Sequence, residues 1–174
     1  MRMRQWSGIV HPEPAIRTGR RQAAVSERVT PMATVERSVV IHAPVEKIFS
    51  YAAEPSHLPE FWPSMIEVKD VQPLASGGHR FNWVYQMAGM RFDGTSEDVE
   101  YTPNQRMIEK SRGGIQSTIT WTFLSEGGDT RVTFAAAYSV PVPLLGRLAE
   151  AVIVKVNEHE AEALLENLKA RMEA

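Results

Sequence analysis

The sequence predicts an α+β domain in which a seven-stranded antiparallel sheet wraps around one long C-terminal helix, with two short helices between strands 1 and 2. Three observations predict it. A first stretch of apolar alternation gives way abruptly to helical spacing, several further stretches alternate with a period of two, and the C-terminal stretch keeps a helical period to the end. The length of 174 residues matches about one domain. A composition of 43% hydrophobic and 23% charged residues is that of an ordinary globular protein.

The elements follow in order. Val35, Arg37, Val39 and Ile41 alternate with Glu36, Ser38 and Val40, which predicts a strand with one apolar face. Pro44 suits the first position of a helix in which Ile48, Phe49 and Ala52 form an apolar patch, and Pro55 interrupts it. A second short helix through Leu58 and Phe61 ends before Pro63, Ile66 to Val71 reads as a strand, and Gly77-Gly78 as a turn. From His79 to Met87 the odd positions are apolar and the intervening ones largely polar, so the odd face points inward. Phe92 to Tyr101 and Arg106 to Arg112 give two strands of less decisive sidedness across the turn at residues 102–105. Ile119, Trp121 and Phe123 face inward against Thr118, Thr120 and Thr122. After the loop at Gly127-Gly128-Asp129 the returning strand presents Val132, Phe134, Ala136 and Tyr138. Beyond Pro141 and Pro143, the residues Leu145, Leu148, Val152, Val156, Ala163, Leu164 and Leu168 share one broad helical face. That helix would run roughly 45 Å, enough to cross a domain.

Residues 1–31 show no sustained period, contain Pro12, Pro14 and Pro31, and hold six arginines against two glutamates. They read as a disordered tail, with a second reading as a non-native extension because Met32-Ala-Thr-Val-Glu would itself make a normal start. Arg20-Arg21 lacks the apolar stretch an export signal needs. Residues 32–174 carry 13 basic and 19 acidic side chains, which argues against nucleic acid as a partner. No stretch approaches the length of a membrane-spanning helix. Without cysteine there is no disulfide, thiolate catalysis or cysteine-held metal, and a reducing cytoplasm is the natural setting.

The run Val39-Val40-Ile41-His42-Ala43-Pro44-Val45-Glu46-Lys47-Ile48-Phe49 resembles the START-like (SRPBCC) superfamily, and so does Leu58-Pro59-Glu60-Phe61-Trp62-Pro63. Trp121-Thr122-Phe123, Gly128-Asp129-Thr130-Arg131-Val132 and Leu165-Glu166-Asn167-Leu168-Lys169 extend the likeness, which is strongest to a bacterial polyketide-cyclase/dehydrase and carbon-monoxide-dehydrogenase-subunit-G-like branch. The resemblance covers nearly all of the chain from Thr34 onward. It implies a helix-grip fold with a cavity between sheet and long helix, and it says little about the chemistry performed there.

Candidate site residues follow from the inward faces. Phe81, Trp83, Tyr85, Trp121, Phe123, Phe134 and Tyr138 are either plain core or the wall of a pocket, with Gly94 and Ala135 to Ala137 leaving room beside them. Val156 and His159 would close that wall from the helix. His159 is either a structural or solvent-facing histidine, or a polar contact to a ligand. Glu97, Asp98 and Glu100 read as a solvated strand, and Glu158, Glu160 and Glu162 do not make a metal site. No catalytic residue, cofactor site or phosphate-binding loop is assigned. The expected function is to bind a small hydrophobic molecule such as a lipid, quinone or polyketide. The alternatives are a polyketide cyclase/dehydratase-type enzyme, with His159, Tyr85 and Tyr138 as its polar groups, or a module assisting a larger complex; a homodimer stays open.

Overall fold

The computed structural model describes residues 33–87, 89–139 and 147–174, with side chains in the last segment from residue 158 onward. The expectations for residues 1–31, and for the side chains of Leu145, Leu148, Val152 and Val156, lie outside the described residues.

The chain runs β1 (Ala33–Ile41), α1 (Val45–Ala52), a 3-10 turn (Pro55–His57), α2 (Leu58–Phe61) and β2 (Met65–Pro73). It continues through β3 (His79–Met87), β4 (Met90–Thr102), β5 (Arg106–Gly113), β6 (Gln116–Glu126), β7 (Asp129–Ser139) and α3 (Arg147–Met172). The seven strands form one sheet in the order β1-β7-β6-β5-β4-β3-β2. Every pairing is antiparallel, so β2 to β7 make a meander and β1 closes on its last strand. This is a helix-grip architecture, as expected.

The predicted inward faces are the buried ones. In β3, Phe81, Trp83, Tyr85 and Met87 are buried; in β6, Ile119, Trp121 and Phe123; in β7, Val132, Phe134 and Tyr138. Pro44 differs from expectation by one position: with ψ of 144° it is the N-cap of α1, and Val45 opens the helix. Ile48, Phe49 and Ala52 form the buried face of α1. Phe49 fixes that helix to the sheet, with its ring 5.3 Å from Tyr101 and 5.2 Å from Phe123, both edge-on.

The described part of α3 buries Ala161, Leu164, Leu165, Leu168 and Met172, a stripe at helical spacing. Its polar fastenings include ties to β1 and to α2. Arg37 Nε donates to Glu162 at 3.0 Å, Lys169 Nζ to the Val40 carbonyl at 2.6 Å, and Asn167 Nδ2 to the Phe61 carbonyl at 3.2 Å. Among the described residues no helix is long and apolar enough to cross a membrane.

Candidate functional site

The inner face of the sheet is divided along its length. At one end α1 and α2 fill it: Phe61 lies 6.4 Å from Trp121, and Trp121 packs edge-on against Phe134 at 4.9 Å. Trp121, Phe123 and Phe81 are therefore solid core, at 2%, 4% and 2% exposure. At the other end α3 covers the sheet together with Trp62 and Met65 of the α2–β2 junction, and there a cavity of about 80 Å3 opens.

Its wall draws on every layer. Trp83, Tyr85 and Met87 come from β3, Ile119 from β6, Phe134, Ala136 and Tyr138 from β7, and Val35 from β1. Trp62 and Met65 enter from the α2–β2 junction, and Glu160, Ala161 and Leu164 from α3. Glu109, Ser111, Ile115 and Ser117 complete it from β5, β6 and the turn between them.

A close approach makes this wall. The Trp83 indole packs against Gly94, where an added Cβ would sit 2.2 Å from the ring and 2.7 Å from the Arg112 carbonyl oxygen. Only glycine fits there. In this position Trp83 Nε1 donates to Ser96 Oγ at 2.9 Å, and Ser96 Oγ lies 2.7 Å from Ser111 Oγ. Ser111 Oγ in turn donates to Glu109 Oε1 at 3.4 Å. The Ser96 and Ser111 hydroxyls are the groups that hydrogen-bond Glu109, and the Ser111 contact of 3.4 Å is long for a hydroxyl donor. Burial pushes the Glu109 carboxyl up to about 7, with Asp98, its cross-strand neighbour on β4, adding repulsion against the Ser96 and Ser111 hydroxyls.

Glu160 is held differently. It accepts from Tyr85 OH at 2.5 Å, Trp62 Nε1 at 3.0 Å and the Ser64 backbone N–H at 3.2 Å. One side chain of α3 thereby joins the helix to the α2–β2 junction and to β3. Burial, and then the Glu160 carboxylate beside it, hold the Tyr85 phenol above its ordinary range.

Of the residues expected from sequence, Trp83, Tyr85, Phe134 and Tyr138 line the cavity, while Phe81, Trp121 and Phe123 stand in the solid core. Val156 lies outside the described side chains. His159 is placed in solvent: its side chain is 87% exposed and its Nδ1 lies 3.7 Å from Glu162. The reason is helical phase. Glu160, four residues before Leu164, shares its face, whereas His159 is turned a further 100° or so away. Asp98 also departs from the solvated-strand expectation, because it turns inward and accepts the His79 backbone N–H at 2.8 Å. Sequence reasoning missed Glu109, Trp62 and the role of Glu160. The signal for Glu109 was its spacing from Met107 and Ser111, which the pairing of β5 with β6 sets opposite Trp121, Ile119 and Ser117. No group of three or more metal-ligating side chains occurs among the described residues.

A sheet gripping a terminal helix around an interior hollow defines a helix-grip ligand-cavity domain of the START-like (SRPBCC) superfamily. Within it, the chain belongs to the polyketide cyclase / dehydrase and lipid transport family, whose profile matches residues 32–173. Among solved structures, a protein from Thermus thermophilus is 26% identical with a TM-score of 0.70, covering 82% of this chain and 97% of that one. The Zhui aromatase/cyclase from a Streptomyces species matches at 15% identity and a TM-score of 0.72, covering 82% and 94%. A START superfamily protein from Mycobacterium smegmatis matches at 15% and 0.69, covering 81% and 97%. The latter two likenesses concern the fold. No curated protein matched the sequence.

Proposed function

We propose that the protein binds a small, largely apolar molecule, of lipid, quinone or polyketide type, in the cavity between the sheet and α3. The observation that carries this reading is the division of the inner face: the same aromatic sheet is packed solid under α1 and α2 and left hollow under α3. A folded interior ordinarily closes such space, because unfilled volume forfeits dispersion contacts. A hollow walled by Trp62, Trp83, Tyr85 and Phe134 suits an apolar guest with a few polar anchors.

Titration of tryptophan emission against quinones, hydroxylated aromatic polyketides and fatty acids tests it, since Trp62 and Trp83 both face the cavity. At least one class should bind at roughly micromolar strength, and Ala136→Trp, which fills the hollow, should weaken that binding tenfold or more. A panel that leaves the emission unchanged, together with an Ala136→Trp protein that unfolds, would show a solid interior. One observation favours an enzymatic second reading, a cyclase or dehydratase: a carboxyl near neutrality in the cavity wall has the properties of a general acid or base. Turnover of a polyketide-like substrate, with a pH profile inflecting near 7 that Glu109→Gln removes, would establish it.

A further inference from the structure

The cavity wall is chemically one-sided. Its described residues include two carboxyls, Glu109 and Glu160, and two phenols, Tyr85 and Tyr138, but no Lys, Arg or His. Glu160 is already engaged by three donors. Glu109 is held more loosely: it is 9% exposed, lines the cavity, and its donors among the described residues are the Ser96 and Ser111 hydroxyls, the latter at 3.4 Å. A carboxyl this buried is ordinarily supplied with short donors, whereas here both hydroxyls come from its own strand and the neighbouring one and none from across the hollow among the described residues.

We infer that Glu109 is the polar anchor of the cavity and selects apolar molecules carrying a hydrogen-bond donor, a hydroxyl or an ammonium group, while rejecting carboxylic acids of the same shape. The inference rests on the cavity reading proposed above and adds the chemistry of the ligand's head group. A donor placed against Glu109 makes a charge-assisted hydrogen bond in a dry site, where such bonds are strongest. An ammonium head gains additionally from the aromatic character of the wall, to which Trp62 and Trp83 contribute. An acid head meets the opposite situation. It would be desolvated with no cation among the described wall residues and would face a like charge at low effective dielectric.

The ionisable groups of the neighbouring strand and of the rest of the described wall agree with this selection. Asp98 stands opposite on β4, Tyr85 projects from β3, Tyr138 from β7 and Glu160 from α3, while β6 supplies the uncharged Ile119 and Ser117. None supplies a positive charge. Because Glu109 titrates near neutrality, the rejection of acids should itself depend on pH. A bound acid is tolerated while Glu109 is protonated and excluded once it ionises, so affinity for an acid should fall as pH rises through about 7.

Three probes of one shape decide the matter by isothermal titration calorimetry: naphthol, naphthylmethylamine and naphthoate. At about pH 8 naphthoate should bind at least roughly tenfold more weakly than either donor, and its affinity should fall roughly tenfold or more between about pH 6 and about pH 8. Stronger naphthylmethylamine binding would identify an ammonium as the favoured donor, and stronger naphthol binding a hydroxyl. Glu109→Gln keeps the shape and removes the charge. It should weaken donor binding severalfold, strengthen naphthoate binding and abolish the pH dependence, with circular dichroism verifying the fold. The wild-type pH series stands even if that variant misfolds. Naphthoate binding as tightly as naphthol at about pH 8, or a selectivity that Glu109→Gln leaves unchanged, overturns the inference and leaves the cavity reading intact. Binding by none of the three also overturns it, and a silent quinone and polyketide panel beside that result removes the cavity reading too.

Discussion

Replacing Gly94 by alanine perturbs the site through one methyl group. The new Cβ would lie 2.2 Å and 2.5 Å from two Trp83 ring carbons and 2.7 Å from the Arg112 carbonyl oxygen, so the indole and the β4–β5 pairing cannot both stay in place. Overpacking of this kind costs about 1–3 kcal/mol. Lifting the ring also breaks the buried Trp83–Ser96 hydrogen bond, and an unsatisfied buried donor costs a further 1–3 kcal/mol or so. Against this, alanine restricts the unfolded chain and returns about 0.4–1 kcal/mol. The expected net loss is about 2–4 kcal/mol in urea unfolding followed by far-UV circular dichroism, read from a shifted midpoint at constant slope. The clash should also be traceable to its partner. In a Trp83→Leu background the same Gly94→Ala change should cost at least about 1 kcal/mol less, a coupling that only residues in contact show. A loss below about 1 kcal/mol, or strict additivity of the two changes, would mean that the indole does not pack against Gly94 and that the relay to Glu109 is wrong.

Phe49→Ala should destabilise by about 3–5 kcal/mol, because its ring is 4% exposed and joins α1 to Tyr101 and Phe123; denaturant unfolding that shows less than about 1 kcal/mol would contradict that packing. Glu109→Gln should stabilise the protein increasingly from about pH 5 to about pH 8. With its folded pKa raised from 4.5 to about 7, Glu109 holds its proton longer in the native state, so its ionisation penalty is absent below the unfolded value and fully present above about 7. That shift corresponds to about 3 kcal/mol at the upper end, and a stability difference independent of pH would refute the assignment. His159→Ala, on an exposed side chain, should change neither stability beyond about 0.5 kcal/mol nor ligand affinity; a tenfold affinity loss would put the histidine in the site.

What the sequence made legible follows from what its periods encode. Alternation of two in residues 79–87 and 117–123 names the inward residues of β3 and β6 correctly, because a half-buried strand must alternate. It does not say what covers that face. Trp121 and Phe123 are solid core rather than cavity wall because Phe61 and Phe49 reach them from helices early in the chain, a long-range fact with no local trace. In β5, Met107 and Ile108 put apolar side chains on both faces, so Glu109 gained a side only from its register with β6. On α3 a face drawn broadly enough to include Ala163 also admits His159. The narrower buried stripe of Ala161, Leu164, Leu165 and Leu168 excludes it and brings Glu160 to the cavity instead.

The central claim, that a guest occupies the space between the sheet and α3, is tested most directly by isotope-filtered NMR on the protein with a bound naphthol or with the tightest member of the ligand panel. One ligand should show intermolecular contacts at once to Val35 on β1, Ile119 on β6 and Leu164 on α3, three methyl-bearing residues of the cavity wall on three different elements. Contacts confined to exposed apolar residues such as Ile66, Val99 or Leu124, with those three silent, would contradict the account.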